Sequence, residues 1–482
     1  MVRAKSLYSI LSSSDSANAP SASQLTSQVD LESFLSPEVR TALVKGEPGT
    51  GKTLLGLELL RRCGSGVYLS SRVSQEGVFD QYPELKKLFR QGKIRVAGPK
   101  ASAKFQDVRF ADAATMVEFI LQSIGKSKEP LVILDSWDTI AKELDKVERM
   151  KTEKTLVAMA DAQRARLVFI SEEPASTSTD YAVDVIVTLK DENHDERRVR
   201  RIEWNKLRGS DIPQRSYLFS LSGARFNLFQ PEANSFHRYE PRQFQAIKNS
   251  ENFYSTGSKD LDAFFGGGMK KGARILVELG KYLGSDWSLP IVSSISCNFL
   301  LNGGCYMNIP RPGVTPEQIK ESSLRHLPAE TVESSLRVGH FGETSSNDGC
   351  FFQMNPSSSS KSFELVWKET EKIRTNGNGG RRTCLMMLGM NALEAAFGPE
   401  SVSQLISHGA AMTAREGDVA VFIVKQSTKT KDLLADVADA YLKLDEIDGA
   451  LVIYSLKPPS RVHHVEYDYS RGFPNVRLTP VA

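Results

Sequence analysis

A chain of 482 residues with 40% apolar content is long enough for two or more buried cores, and its net charge of only +3 does not single out nucleic acid as a partner. Its five cysteines, Cys63, Cys297, Cys305, Cys350 and Cys384, are scattered and form no C-x-x-C pair, which argues against a disulfide framework and a zinc site and for a reducing cytoplasm. No apolar run approaches the ~18 residues of a membrane span, and the N-terminus lacks a signal-peptide core, so the expectation is a soluble, cytoplasmic protein with no membrane partner.

The stretch from about Ser12 to Gln28 is rich in Ser and Ala and poor in bulky apolar residues, which predicts a mobile N-terminal arm over 1–28 with little to bury. Strand-like runs then alternate with helix-period segments: "RTALVKG", "GVYLSS", "KIRVAGP", "LVILDSW", "RLVFISEE" and "VDVIVTLKD", with "KTLLGLELLRRC" and "ATMVEFILQSI" among them. This alternation predicts an α/β fold with a mainly parallel sheet, and "RRVRRIEWNKLRG" and "SYLFSLSGARFNLF" close it as antiparallel hairpin strands. A first domain is expected over 29–229 and a polar linker over 230–250. Residues 251–482 repeat the series: "RILVELG", "GGCYMNIP", "LRVGHFG", "TCLMMLGM", "VAVFIVKQS", "AYLKLDEIDGALVIYSLKPPS" and "HHVEYDYSRGFPNVRL". A tandem duplication accounts for this order. The low-complexity stretches "MNPSSSSKS" and "TNGNGGRR" occur in the second copy alone and read as surface insertions.

"TALVKGEPGTGKTLLGLELL" fits G-x-x-x-x-G-K-[ST] between an apolar strand and an amphipathic helix. Gly46, Gly49 and Gly51 let the backbone of Gly46, Glu47, Pro48, Gly49, Thr50 and Gly51 curl so that N–H groups face phosphates, and the helix beginning at Lys52, Thr53 and Leu54 adds its positive end. Lys52 is expected to reach the β- and γ-phosphates of ATP and Thr53 to offer its hydroxyl to Mg²⁺. Asp135, ending the strand in "EPLVILDSWD", is the second expected holder of the metal. Of the arginine run "DERRVRRIEWNK", Arg197, Arg198, Arg200 and Arg201 fall on both faces of a strand, a ridge for an acidic partner or for DNA phosphates. The flanking Asp191, Glu192, Asp195 and Glu196 favour protein contact or a solvated hairpin.

The second copy keeps the frame and loses the chemistry. In "VELGKYLGSDW", Gly280 stands at the first glycine, Asp286 at the lysine and Trp287 at the threonine, while Gly389 replaces Asp135 and Pro459 replaces Arg208. An anion in place of a cation turns attraction for phosphate into repulsion of ~4 kcal/mol per unit charge at ~4 Å, before screening, for an effective dielectric of ~20. The second domain is therefore expected to be a pseudo-ATPase. The adjacent His463 and His464 point to opposite sides of a strand, an arrangement poorly suited to a shared metal.

"LVKGEPGTGKT", "YLSSRVS", "VILDSWD", "RLVFISEEP", "VDVIVTLKD" and "RRVRRIEWNKLRGSDIPQ" resemble, in order, the KaiC branch of the RecA-type ATPases, and archaeal proteins related to gas-vesicle protein D in particular. The second half resembles the same branch through "STGSKDLDAFFGGGMKKGARILVE". The resemblance implies tandem RecA-like domains, ATP with Mg²⁺, and an oligomer in which Lys206 and Arg208 of the "KLRG" motif point at a neighbouring subunit's nucleotide. It also implies a pair of glutamates after the second strand, where this chain has Arg72 and Val73. Arg72 is open to two readings, a cation near the γ-phosphate or a solvated strand-end residue. Glu76, Glu172 and Glu173 are the acids left to serve as base, with Glu173 the chosen candidate. Rapid hydrolysis is thereby put in question, and a nucleotide-gated regulator with slow or partner-stimulated turnover is expected, its partner a protein such as a transcription regulator. A DNA-acting recombinase-like ATPase and a scaffold with an idle loop are the alternatives.

Overall fold

The computed structural model describes residues 30–97, 113–125, 127–142, 144–231, 239–342, 348–375 and 380–482, with the side chains at 113, 285–287, 408 and 410–411 excepted. The expected N-terminal arm, part of the expected linker and residues 376–379 lie outside them. The chain gathers in two compact units: one takes the described chain up to Lys45 with Leu59–Thr188 and Glu203–Arg215, the other Gly46–Glu58, Leu189–Ile202 and Ser216–Ala482.

Nine strands come from the N-terminal half: β1 Thr41–Gly46, β2 Gly66–Ser70, β3 Ile94–Ala97, β4 Leu131–Asp135, β5 Arg166–Ser171, β6 Val185–His194, β7 Arg197–Leu207, β8 Ser216–Ser220 and β9 Asn227–Leu228. They follow the order β3-β2-β4-β5-β1-β6-β7-β8-β9. The pairs β2/β3, β2/β4, β4/β5 and β1/β5 are parallel. β2, β4 and β5 are buried at every position, which is why they read as unbroken apolar runs: helices cover both faces of a parallel sheet. Leu43, Leu69, Leu134 and Phe169 meet Met116, Ile120 and Leu156 in the core of the first unit.

The second half repeats this arrangement. A two-stranded β10 Phe253–Tyr254 and β11 Met269–Lys270 precede β12 Arg274–Leu279, β13 Cys305–Ile309, β14 Leu336–His340, β15 Phe351–Gln353, β16 Cys384–Gly389, β17 Val419–Lys425, β18 Ala440–Ile447, β19 Ala450–Lys457, β20 His463–Asp468 and β21 Asn475–Pro480. The sheet order is β15-β14-β13-β16-β17-β12-β18-β19-β20-β21, the N-terminal order with one strand added at the edge. Its four last strands pair antiparallel to their neighbours from β18 onward. The fold is thus α/β, with mainly parallel sheets flanked by helices and finished by hairpins. The stretch "MNPSSSSKS", expected as a surface insertion, is not simply a loop, because the helix Ser359–Thr375 begins inside it. Ser362 both accepts from the Asn355 N–H and donates to the Asn355 carbonyl, each at 2.9 Å, and so fastens the helix start. No helix among the described residues is long and apolar enough to cross a membrane.

His464 stacks on Phe229 with ring centroids 4.1 Å apart, and His463 packs edge-on against Phe264; the two rings serve packing. Burial holds the His464 imidazole down at about 4, whereas the unfolded chain takes up that proton near ~6.5. The unfolded state therefore binds more protons between these values, and stability is full above ~6.5 and falls as pH drops toward 4. Denaturant titrations at pH 7 and pH 5 should show the wild type losing about 1–2 kcal/mol more than His464→Phe, discounted for the ring's partial exposure. Equal losses would place the acid sensitivity elsewhere.

Candidate nucleotide-binding site

β1 ends in a loop whose three glycines all take positive φ, 154° at Gly46, 84° at Gly49 and 104° at Gly51. At Gly46 a Cβ would lie 2.6 Å from the Leu189 carbonyl oxygen, and at Gly51 2.8 Å from the Leu221 side chain, so both positions require glycine on conformation and on space. The helix Lys52–Cys63 starts at once. Lys52 is 6% exposed, and its Nζ donates to the carbonyls of Gly46 at 2.7 Å and Glu47 at 2.8 Å. Thr50 Oγ1 donates to the same Glu47 carbonyl at 2.8 Å. The loop thus wraps a buried ammonium beside a helix N-terminus, with Thr53 and Leu54 in the first turn, the two sources of positive potential that a polyphosphate needs. The outer side of the loop is also held: Arg200, 8% exposed, donates from Nη1 to the Gly49 carbonyl at 3.0 Å.

In the first unit, the ends of β2, β4 and β5 carry a linked set of polar groups. Asp135 is buried and accepts a short hydrogen bond from the Tyr68 hydroxyl. Arg72 forms a two-pronged contact with Glu172, at 2.6 and 2.9 Å, and this contact raises the guanidinium pKa above its ordinary value. Arg149 is a hub, 3.0 Å from Asp138, 3.1 Å from Glu153 and 3.7 Å from Glu173. Asp138 in turn accepts from the Glu172 N–H and the Ser171 hydroxyl. Glu76 lies in the first turn of the helix Gln75–Gln81, behind the N-cap Ser74. Lys206 donates to the Asp180 carbonyl at 3.0 Å, and Arg208 pairs with Asp184 at 2.8 Å while its side chain stays 61% exposed. Lys45, just before the loop, pairs with Asp180 at 2.7 Å. Burial opposes ionisation of Asp180, but hydrogen bonds from Lys45 and Thr177 outweigh it and hold the carboxyl below its usual range.

The corresponding loop of the second half is filled from within. Lys425, at the end of β17, donates to the carbonyls of Gly280 and Leu283, each at 2.8 Å, and Arg311 donates to the Gly284 carbonyl at 3.2 Å. A Cβ at Gly280 would meet Asp445 Oδ1 at 2.1 Å, and one at Gly389 the Arg311 backbone N at 2.6 Å. The ammonium that holds these carbonyls comes from a distant strand, whereas Lys52 belongs to its own loop. The side chains of Asp286 and Trp287 lie outside the described residues. Lys457 donates to the carbonyls of Ala435 and Asp436, much as Lys206 does to that of Asp180.

Sequence reasoning named the P-loop residues, Asp135 and the acids at the end of β5, but not Arg200, Tyr68, Arg149 or Lys425 as their partners. For Arg200 the strand alternation carried a signal, since 198 and 200 share the face opposite 197, 199 and 201. For the other three no local pattern points to the contact. All four arginines of the ridge are engaged within the chain: Arg197 with Ser455 and Ser460, Arg198 with Asp191, Arg200 with Gly49, and Arg201 with Glu192 and Asp448.

A strand, a three-glycine loop and a helix opening on lysine, set in this sheet order, form a P-loop in an α/β fold consistent with RecA-like domains. Residues 31–204 match the model of the GvpD gas vesicle protein P-loop domain, and the chain is similar to GvpD and KaiC proteins. Protein GvpD2 of Halobacterium salinarum is 27% identical, covering 91% of this chain and 93% of its own. Protein GvpD1 of the same organism is 25% identical, over 92% and 95%. The circadian clock oscillator protein KaiC of a Nostoc species is 28% identical over 50% of this chain and 48% of its own.

Proposed function

We propose that the N-terminal half, 29–229, binds ATP with Mg²⁺ and that the C-terminal half, 251–482, is a pseudo-ATPase, the whole acting as a nucleotide-gated regulator of a partner protein, such as a transcription regulator. The observation that carries this reading is the contrast between the two loops: Lys52 is built into the first, whereas the second is tied by Lys425 and has Asp286 at the lysine position. The backbone from Gly46 to Gly51 would cradle the phosphates, Lys52 would bind the terminal ones, and Leu54 would pack in the first helical turn. Thr53 and, on motif order alone, Asp135 would hold Mg²⁺, which supplies charge neutralisation to the phosphates when bound. Arg72 is occupied by Glu172, and Glu173 is the remaining candidate base, consistent with slow or partner-stimulated hydrolysis. Lys206 and the exposed Arg208 would reach a neighbouring subunit's nucleotide in a homo-oligomer, with Arg208 leaving Asp184 to do so.

Calorimetry with MgATP on the full chain should count one site per chain. Asp286→Ala should keep that count and change the affinity by less than about twofold, because ~0.4 kcal/mol is all such a ratio represents. Two sites per chain, or a loss on Asp286→Ala, would reject the division of labour.

A further inference from the structure

β7 carries arginines with two destinations. On one face, Arg200 reaches the P-loop at the Gly49 carbonyl and lies 3.6 Å from Asp191. On the other, Arg197 donates to the carbonyls of Ser460 at 3.0 Å and Ser455 at 2.8 Å, and Arg201 pairs with Asp448 at 2.7 Å. Between these two, Val199 is buried in one cluster with Leu218, Ile447, Val452 and Tyr454. Asp195, at the turn before the strand, accepts from Lys443 at 2.6 Å and from the Tyr454 hydroxyl at 2.8 Å. One extended segment therefore grips the phosphate loop with one face and β18–β19 with the other.

The grip on Gly49 is chemically specific. A buried guanidinium is costly unless its donors are satisfied, and a planar fork can serve a carbonyl and a carboxylate together where a lysine, a point charge on a flexible stem, cannot. Across a trans peptide the C=O and the next N–H point in opposite directions, so holding the Gly49 carbonyl on Arg200 also fixes the direction of the Thr50 N–H. That N–H donates to the Glu47 carbonyl at 3.3 Å, the acceptor that Lys52 also uses.

We propose that Arg200 is a positioning residue for nucleotide at the P-loop, and that through β7 it couples occupancy of that loop to the C-terminal half. This rests on the nucleotide-binding reading above. The test uses the full chain as wild type, Arg200→Gln and Arg200→Lys, with Arg215→Gln as control, its side chain being 70% exposed and its nearest acid 3.8 Å away. Two readouts are taken: MgATP affinity by calorimetry, and the MgATP-dependent change in amide hydrogen exchange over residues 450–460. Arg200→Gln should weaken binding about 10-fold or more and, at saturating MgATP, abolish the exchange change, while Arg215→Gln keeps both. Arg200→Lys should fall between, and it replaces the Gln variant if that one does not fold. Wild-type behaviour of the Arg200 variants in either readout overturns the inference and leaves nucleotide binding intact. A wild type that binds no MgATP overturns both.

Discussion

A Lys52→Ala chain should bind MgATP at least about 100-fold more weakly than the wild type, a loss of ~3 kcal/mol or more. The ammonium is one unit charge held within the loop, and its attraction for a single phosphate charge at ~4 Å is ~4 kcal/mol at an effective dielectric of ~20. A triphosphate brings several such charges, while the glycine backbone and the helix end supply only partial ones. Without nucleotide the variant should stay folded. The substitution frees the carbonyls of Gly46 and Glu47 from Lys52, but it also relieves a buried cation of its desolvation cost, so a change of about 1 kcal/mol is expected. Calorimetry for affinity and a thermal melt without ligand separate the two effects. Undiminished MgATP binding in the folded variant would mean that the loop is not the site.

How much of this was legible in the sequence depends on the range of the interaction. The P-loop is a local device: its glycine spacing, the strand before it and the helix after it occupy some twenty consecutive residues, so the motif carries its own geometry. The strands were legible for the same reason, since β4 "LVILD" and β5 "RLVFIS" are buried throughout and must be apolar throughout. The partners of the site were not. Arg72 and Glu172 are 100 positions apart, as are members of most of these pairs by wide margins: Tyr68 and Asp135 by 67, Arg200 and Gly49 by 151, Lys425 and Gly280 by 145. Whether an arginine faces solvent, a carboxylate or a loop carbonyl is decided by strand order and register, which one sequence does not print. The loss of Lys, Thr, Asp and Arg from the second copy was legible by alignment of its frame. The replacement of the missing ammonium by Lys425, from the strand paired beside β12, was not.

The largest effect on stability should come from the second unit, at Asp418→Ala. Arg374 and Asp418 are each 1% exposed at the side chain and bonded to one another, and Asp418 also accepts from the Cys384 N–H at 2.7 Å. Burial pushes the Asp418 carboxyl above its ordinary range despite these contacts, and a buried ion pair contributes little net stability because desolvation offsets its attraction. Breaking it from one side is a different matter, because it leaves a buried guanidinium without its closest anion and a backbone N–H without an acceptor. The expected cost is about 3–5 kcal/mol, softened where Arg374 can lean on Glu416 at 3.5 Å and Glu371 at 3.6 Å. Asp418→Asn, which keeps an acceptor for Cys384, should lose less. The P-loop residues Gly46–Glu58 belong to the same compact unit as Asp418. Ligand that binds only the folded loop should then return stability to the variant, by about 2.7 kcal/mol at 100 times the dissociation constant. Denaturant melts of Asp418→Ala with and without MgATP read both quantities at once. A destabilised variant whose midpoint ignores MgATP, while the wild type responds, would show that the loop and the Arg374–Asp418 core unfold as separate units.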